Sequence, residues 1–384
     1  MDANPFVSSQ RAGSLERVRA SWRSRLMVYG LIYVLWLVVL CAGTGGFANF
    51  HIWLTSWSKW DAQWYERIWN EGYRRGDPRA LVFPPGYSVL VGALATFLHL
   101  DFHLMAMVVN VISYFAAMVL AVDLFAKFLR VSPAPAFALA LSSPAAYFVF
   151  AAYSDAVFCF ILWAALYLAL ICPLGRVARV TEFCLLLVAP WIRLTGYAFS
   201  SWMLLKRWTA LAVCASLLGW LVLNFVIAGH PLYFLQAQKL FIMPEGNFVD
   251  GFRSTFSGLL PVYFPGLPGD WAAYFQFHLL PAIYLLGLAF AGIWLCYQRC
   301  WLIGITVLSI LFVSHNQSFW RSAVRYDLAI FCCLSLPLLV VVHDNRPKLV
   351  LRVSLWAVAI VVGVAQIVLQ IYFANLFKSG RWAF

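Results

Sequence analysis

An all-α, polytopic membrane fold of about eleven transmembrane helices is the architecture this sequence predicts. Three observations predict it. The chain of 384 residues is 64% hydrophobic. Only 11% of its residues are charged, against about 25% in an ordinary soluble domain. The apolar residues also fall in long runs, at about 26–47, 103–125, 134–152, 156–172, 181–197, 198–205, 209–228, 279–296, 302–313, 326–342 and 349–373. So few charges cannot cover a protein of this size, so lipid must solvate most of its outside.

Several runs are shorter than the roughly 20 residues of a full span. The pair on either side of Gly196 reads as half-spans or re-entrant helices buried in protein. Residues 86–100 follow Pro84-Pro85 and number about fifteen, which suits a helix near the outer interface. The formal net charge of +12 comes from short basic clusters between runs. Arg11, Arg17, Arg19, Arg23 and Arg25, then Lys127 and Arg130, Arg176 and Arg179, Lys206 and Arg207, Arg299, and Arg346, Lys348 and Arg352 mark the inner side. With no basic stripe interleaved with stacking aromatics, nucleic acid is excluded as a partner. The nine Cys include no CxxC pair, so neither a disulfide framework nor a zinc site is indicated.

No polar or low-complexity linker divides the chain. Residues 1–25 are a basic cytoplasmic N-terminus and 26–384 one membrane domain. Two long outer loops, 48–85 and 229–278, hold acids and are the expected seat of function, carrying interfacial helices.

In the first loop, Trp53, Trp57, Trp60 and Trp64 are spaced by four, three and four. One helix would place all four indoles on a single interfacial stripe. On that helix Asp61 shares a face with Tyr65, either as a solvated acid beside an aromatic anchor or as a general base. Asp155 follows the third run and reads either as a helix N-cap or as a second acid. Arg193 lies inside an apolar run, where a guanidinium costs about 2.5–3.5 kcal/mol to insert and is usually functional. Arg325 and Arg321 flank the outer end of another run and suit a phosphate, as does Arg193. His99 and His103 sit four apart around Asp101, a weak metal-like spacing. No nucleotide loop or nucleophile elbow occurs.

Several motifs stand in a recognisable order. Trp60-Asp61-Ala62-Gln63-Trp64-Tyr65, with Ile68 and Gly72-Tyr73, resembles the WDAxxYxxIAxxGY loop of the PIG-V-type mannosyltransferases (the GPI mannosyltransferase II-like family), members of the GT-C superfamily. Phe83-Pro84-Pro85-Gly86-Tyr87 resembles the family's FFPLYP, and Pro144 through Tyr153-Ser154-Asp155 its SP…YSE. Arg193-Leu194-Thr195-Gly196 is similar to RxTG, Pro231 through Phe234 with Gln238 to PxxFxxxQ, and Arg325-Tyr326 before Pro337 to RY…P. The order holds from residue 60 to about 340.

The resemblance implies a GT-C-like fold and an inverting glycosyltransferase. Its donor would be a polyprenyl-phosphate sugar, mannose in the first instance, and its acceptor a hydroxyl of a glycolipid, polysaccharide or protein at the outer or lumenal face. It implies Asp61 and Asp155 as catalytic acids, with Asp61 the base. Arg193 and Arg325 would hold the donor phosphate; Trp60, Tyr65, Tyr153, Gln238 and Tyr326 would line the substrate site. No cofactor beyond the lipid-linked donor is required and no divalent metal is indicated. The enzyme would sit in the plasma membrane of a bacterium or the endoplasmic reticulum membrane of a eukaryote. The chain departs from the pattern at Asp155 for Glu, at Gly86 and Ser88, and at Trp69 for Ala. A transporter or flippase of lipid-linked saccharide is the main rival, favoured by Arg193, although no internal repeat is visible. A membrane O-acyltransferase would want a buried catalytic His, whereas the seven His mostly lie in loops or at run ends.

Overall fold

The computed structural model describes residues 5–73, 78–172, 175–206, 208–239, 249–250, 252–253, 275, 279–316, 323–343 and 349–381. The side chains of 5–21, 78, 203–204, 238–239, 323 and 349 fall outside that description. Among the described residues there is helix and no strand. Five helical segments are long and apolar enough to cross a membrane: Trp22–Gly43, Phe102–Leu129, Thr209–Ala228, Leu280–Tyr297 and Val350–Lys378. The chain therefore has the character of a multi-pass integral membrane protein.

In chain order the helices are α1 (Pro5–Gly43), α2 (Phe50–Thr55), α3 (Asp61–Glu71), α4 (Pro85–Leu98), α5 (Phe102–Leu129), α6 (Pro133–Leu141), α7 (Asp155–Ile171) and α8 (Arg176–Ile192). Then come α9 (Thr209–Ala228), α10 (Tyr233–Lys239), α11 (Leu280–Tyr297), α12 (Trp301–His315), α13 (Ala323–Tyr326), α14 (Leu336–His343) and α15 (Leu349–Lys378). The long helices α5 and α7 pack side by side at the centre, with α4 and α6 against α5 and α8 against α7. Lipid-facing helices betray themselves by exposed apolar rows. Val350, Val353, Ile360, Val361 and Val364 of α15 are all exposed, which only a hydrocarbon solvent tolerates.

Several predicted runs are not continuous helices. The run at 134–152 is α6 followed by a 3₁₀ turn, Ala146–Phe150. The pair around Gly196 is α8 followed by an eleven-residue 3₁₀ stretch, Leu194–Leu204, long for that conformation. The run at 326–342 breaks into α13, two 3₁₀ turns and α14. Such breaks leave backbone carbonyls without helical partners, and in a dry interior each needs another donor. Polar side chains in apolar runs supply them. Gln370 on α15 donates to the Leu141 and Ser143 carbonyls at 2.7 and 2.6 Å, while accepting from Trp36 Nε1 at 3.0 Å. Asn110 on α5 donates to the Ala151 carbonyl at 2.7 Å and accepts from Tyr87. Trp163 Nε1 donates to the Ala329 carbonyl at 2.9 Å.

The four tryptophans of the first loop do not share one stripe. Trp60 has φ 54°, ψ −120°, a left-handed conformation costly for a bulky residue, and it separates α2 from α3. Trp53 and Trp57 are consequently buried in the core, where Trp57 packs on Phe150 and Phe377. Trp64, four residues on in α3, stacks on Phe83.

Two glycines of α4 explain two of the departures from the family pattern. Trp69 lies flat against Gly92 of α4, where an added Cβ would come within 2.1 Å of the ring. Gly86 lets α4 begin hard against α8, where a Cβ would fall 2.6 Å from the Trp191 carbonyl oxygen. Replacing Gly92 by Ala is therefore expected to push α3 off α4 and cost about 1–3 kcal/mol. Denaturant titration of the purified protein should show it, and restoring the fit with the double change Gly92→Ala, Trp69→Ala should recover part of the loss.

Candidate functional site

The site begins with α3. Asp61 is its first residue, where the positive end of the helix dipole favours a carboxylate. The turn at Trp60 aims the following residues inward, and the i, i+4 spacing puts Asp61 and Tyr65 on one face. The Asp61 backbone N–H donates to Tyr153 Oη at 3.2 Å, so the helix start is tied to the end of the broken 142–154 segment. Tyr65 Oη lies 2.9 Å from Ser154 Oγ. Burial pushes the Tyr65 hydroxyl well above the ordinary phenol range, which keeps it a hydrogen-bond partner and not a base.

Two ion pairs then close the centre. Arg325 Nη1, on α13, donates to Asp61 Oδ2 at 2.8 Å. Arg193 Nη1, at the end of α8, lies 2.8 Å from Asp155 Oδ2 and 3.4 Å from Ser154 Oγ. Tyr326 lies between the arginines, its ring centroid 4.7 Å from the Arg193 guanidinium and 4.9 Å from that of Arg325. Arg325 also faces the rings of Tyr153 at 5.0 Å and Phe148 at 5.6 Å. Aromatic faces attract cations most where water is excluded, and Arg193, Arg325 and Asp155 are all buried. Asp61 is the most open of the four, its side chain 17% exposed, beside Trp60 at 39%.

Residues taken from separate sequence motifs thus meet. Asp61, Tyr65, Tyr153, Asp155, Arg193, Arg325 and Tyr326 form one cluster, although Asp61 and Arg325 are 264 positions apart. Trp60 borders it. Gln238 belongs to α10, which packs against the 3₁₀ turn Pro78–Val82 of the first loop, and its side chain lies outside the described residues. So do Arg321 and most of the second loop, 229–278.

Asp155 is not the cap of α7. Ser154 holds that position, and the Asp155 carboxylate turns to Arg193 instead. The histidine spacing has a structural account: Asp101 caps α5, accepting from the His103 and Leu104 N–H groups, and His103 Nε2 sits 3.1 Å from Glu66.

Sequence reasoning missed Ser154, which links Tyr65 to Arg193, and Asn110, which fixes the Ala151 carbonyl just before the site. A lone amide in the apolar stretch Met107–Tyr114 was the available signal for the second. It also missed a buried group beside the site, where Ser314 Oγ donates to Asp327 Oδ1 at 2.8 Å and lies 3.0 Å from His315 Nδ1. Asp327 directly follows Tyr326, so this group anchors the segment that carries Arg325.

No family model and no curated protein matches the chain. The geometry and the motif resemblance therefore carry the functional argument together.

Removing one member of a buried pair strands the other charge, at a cost of about 3–5 kcal/mol, while removing both can be nearly neutral. Arg193→Met should accordingly destabilise the protein more than the double change Arg193→Met, Asp155→Leu. Unfolding titrations of the wild type, both single variants and the double variant measure this, and strictly additive losses would contradict the pairing.

Proposed function

We propose that the protein is a GT-C-type inverting glycosyltransferase that moves a sugar, mannose in the first instance, from a polyprenyl-phosphate donor to an acceptor hydroxyl. What supports this reading most is the convergence of Asp61, Asp155, Arg193 and Arg325, each singled out by a different motif, in one largely dry cluster with an open acid at its edge. The family's membrane architecture, with crossings beyond the five long helices and the site at the outer or lumenal face, is part of the same proposal.

The chemistry suits the residues. The acceptor oxygen attacks the anomeric carbon while the bond from that carbon to the phosphate oxygen breaks. Its electron pair leaves with the polyprenyl phosphate, and the acceptor proton passes to Asp61. The phosphate enters as a monoanionic diester and departs as a monoester of greater negative charge. Preorganised guanidinium groups in a water-excluded site stabilise such developing charge strongly, and Arg193 and Arg325 supply two.

Both arginines are already paired with carboxylates. A donor phosphate would compete with Asp61 for Arg325, so donor binding would free the acid that must then accept a proton. Asp155 keeps Arg193 in place and cancels its charge until the phosphate arrives. Because the donor brings its own leaving group, no nucleotide-binding fold is needed.

Asp61→Asn should lower transfer by about 10²–10⁴-fold per folded molecule, because the amide retains shape and can still accept from Arg325 but cannot take the proton. Purified protein in detergent, given labelled polyprenyl-phosphate mannose and a membrane extract as acceptor pool, measures this. Tight binding of the donor with no transfer to any acceptor would instead favour a carrier of lipid-linked saccharide, since detergent permits chemistry but no transport. More than about a tenth of wild-type activity in Asp61→Asn would remove Asp61 from the role of base.

A further inference from the structure

A cavity lies at the other end of the central helices from the candidate site. Its volume is about 280 Å³, and its lining includes Phe128, Ala169, Leu205, Lys206, Arg299 and Trp301. Ala169 is close to the last residue of α7, whose first residue, Asp155, belongs to the site described above. Seventeen helical residues rise about 25 Å, close to the thickness of a hydrocarbon core, about 30 Å. The cavity also collects the C-terminal ends of α5 and α11 and lies just before the start of α9, three segments long and apolar enough to cross a membrane. It therefore opens at the opposite membrane surface from the acids and arginines of the candidate site.

The cavity's charge is specific. Lys206 Nζ is 3.0 Å from Glu182 Oε1, and Glu182 is buried, so that pair is neutral as a unit. Arg299 is exposed, and among the described residues no carboxylate lies within ion-pair reach of it. Among the described lining residues, Arg299 is thus the positive charge that no carboxylate offsets, above walls that are apolar. Arg299 also has φ 63°, at the end of α11 where glycine is the unstrained choice. An arginine held there at conformational cost points to a use for its side chain.

A single positive charge over an apolar crevice, next to three exposed apolar side chains, Phe128, Leu205 and Trp301, matches a lipid with a monoanionic headgroup. The volume is at the lower edge of ordinary ligand pockets, about 300–1,000 Å³. It holds a headgroup and the start of a chain, with the remaining chain in the bilayer. We propose that this cavity binds one anionic glycerophospholipid of the leaflet that faces the basic clusters, its phosphate on Arg299 beside the Lys206–Glu182 pair. The inference is independent of the transferase reading and rests on the cavity alone.

Native mass spectrometry of the detergent-solubilised full chain, with phosphatidylglycerol and phosphatidylcholine added in equal amounts, tests it. One phosphatidylglycerol per chain should be retained, favoured over phosphatidylcholine by about tenfold, the factor that 1.4 kcal/mol represents. Arg299→Gly relieves the left-handed strain, so its melting temperature should hold or rise while the preference for phosphatidylglycerol disappears. Leu205→Glu, at an exposed position, should repel the headgroup and give the same loss. Equal retention of the two lipids by the wild type, or wild-type selectivity in either variant, would overturn the proposal.

Discussion

Charge that has been taken out of water must find charge of the opposite sign, and this constraint organises the centre of the protein. Arg193, Arg325 and Asp155 are buried, with Asp61 at the edge. An unpaired ion there would cost several kcal/mol. The two ion pairs at 2.8 Å therefore determine where α3, α7, α8 and α13 can sit relative to one another. Replacing such pairs with apolar residues is often neutral or stabilising, so stability alone does not account for them. The proposed role, a site that must hold an anion and handle a proton, would account for them.

The broken helices follow from the same requirement. Asp61, Asp155, Arg193 and Arg325 all lie at the ends of helices, where the backbone can turn a side chain inward. The break before Asp155 exposes carbonyls that α5 and α15 satisfy through Asn110 and Gln370. Irregular backbone at membrane depth survives only where protein encloses it, and the buried Ala145–Ala152 stretch is enclosed on every side. The backbone beneath the site is thus enclosed by protein, while Asp61 and Trp60 remain open at its rim.

How much of this was legible in the sequence depended on the range of the interaction. The helical, membrane-embedded class followed from composition, and the long runs at 103–125, 209–228 and 279–296 became long helices. Asp61 and Tyr65 were readable as one face because four residues make a turn. Arg193 stood out because a cation in an apolar run is expensive. The tryptophan stripe misled, since spacing assumes a continuous helix, whereas α2 ends at Thr55 and the left-handed Trp60 precedes the start of α3. The runs at 134–152 and 326–342 misled for a related reason. Hydropathy records the solvent a segment avoids, and a helix broken by distant side-chain donors is as apolar as an unbroken one. Ser154, Asn110 and Asp327 stayed hidden because their meaning lies in partners far along the chain or in backbone carbonyls, which carry no sequence signal. Gly86 and Trp69 looked like departures from a pattern, yet each is matched by a neighbour, Trp191 and Gly92, that the pattern does not include.

In the proposed reaction Arg193 and Arg325, on either side of Tyr326, receive the phosphate of a lipid-linked sugar and release Asp61. The most direct measurement is an experimental structure of the protein with a non-hydrolysable polyprenyl-phosphonate mannose. The phosphonate oxygens should lie within hydrogen-bond distance of both guanidinium groups, with the anomeric carbon on the Asp61 side and the 2.8 Å contact between Arg325 and Asp61 opened. A headgroup bound elsewhere, with both ion pairs intact, would contradict it.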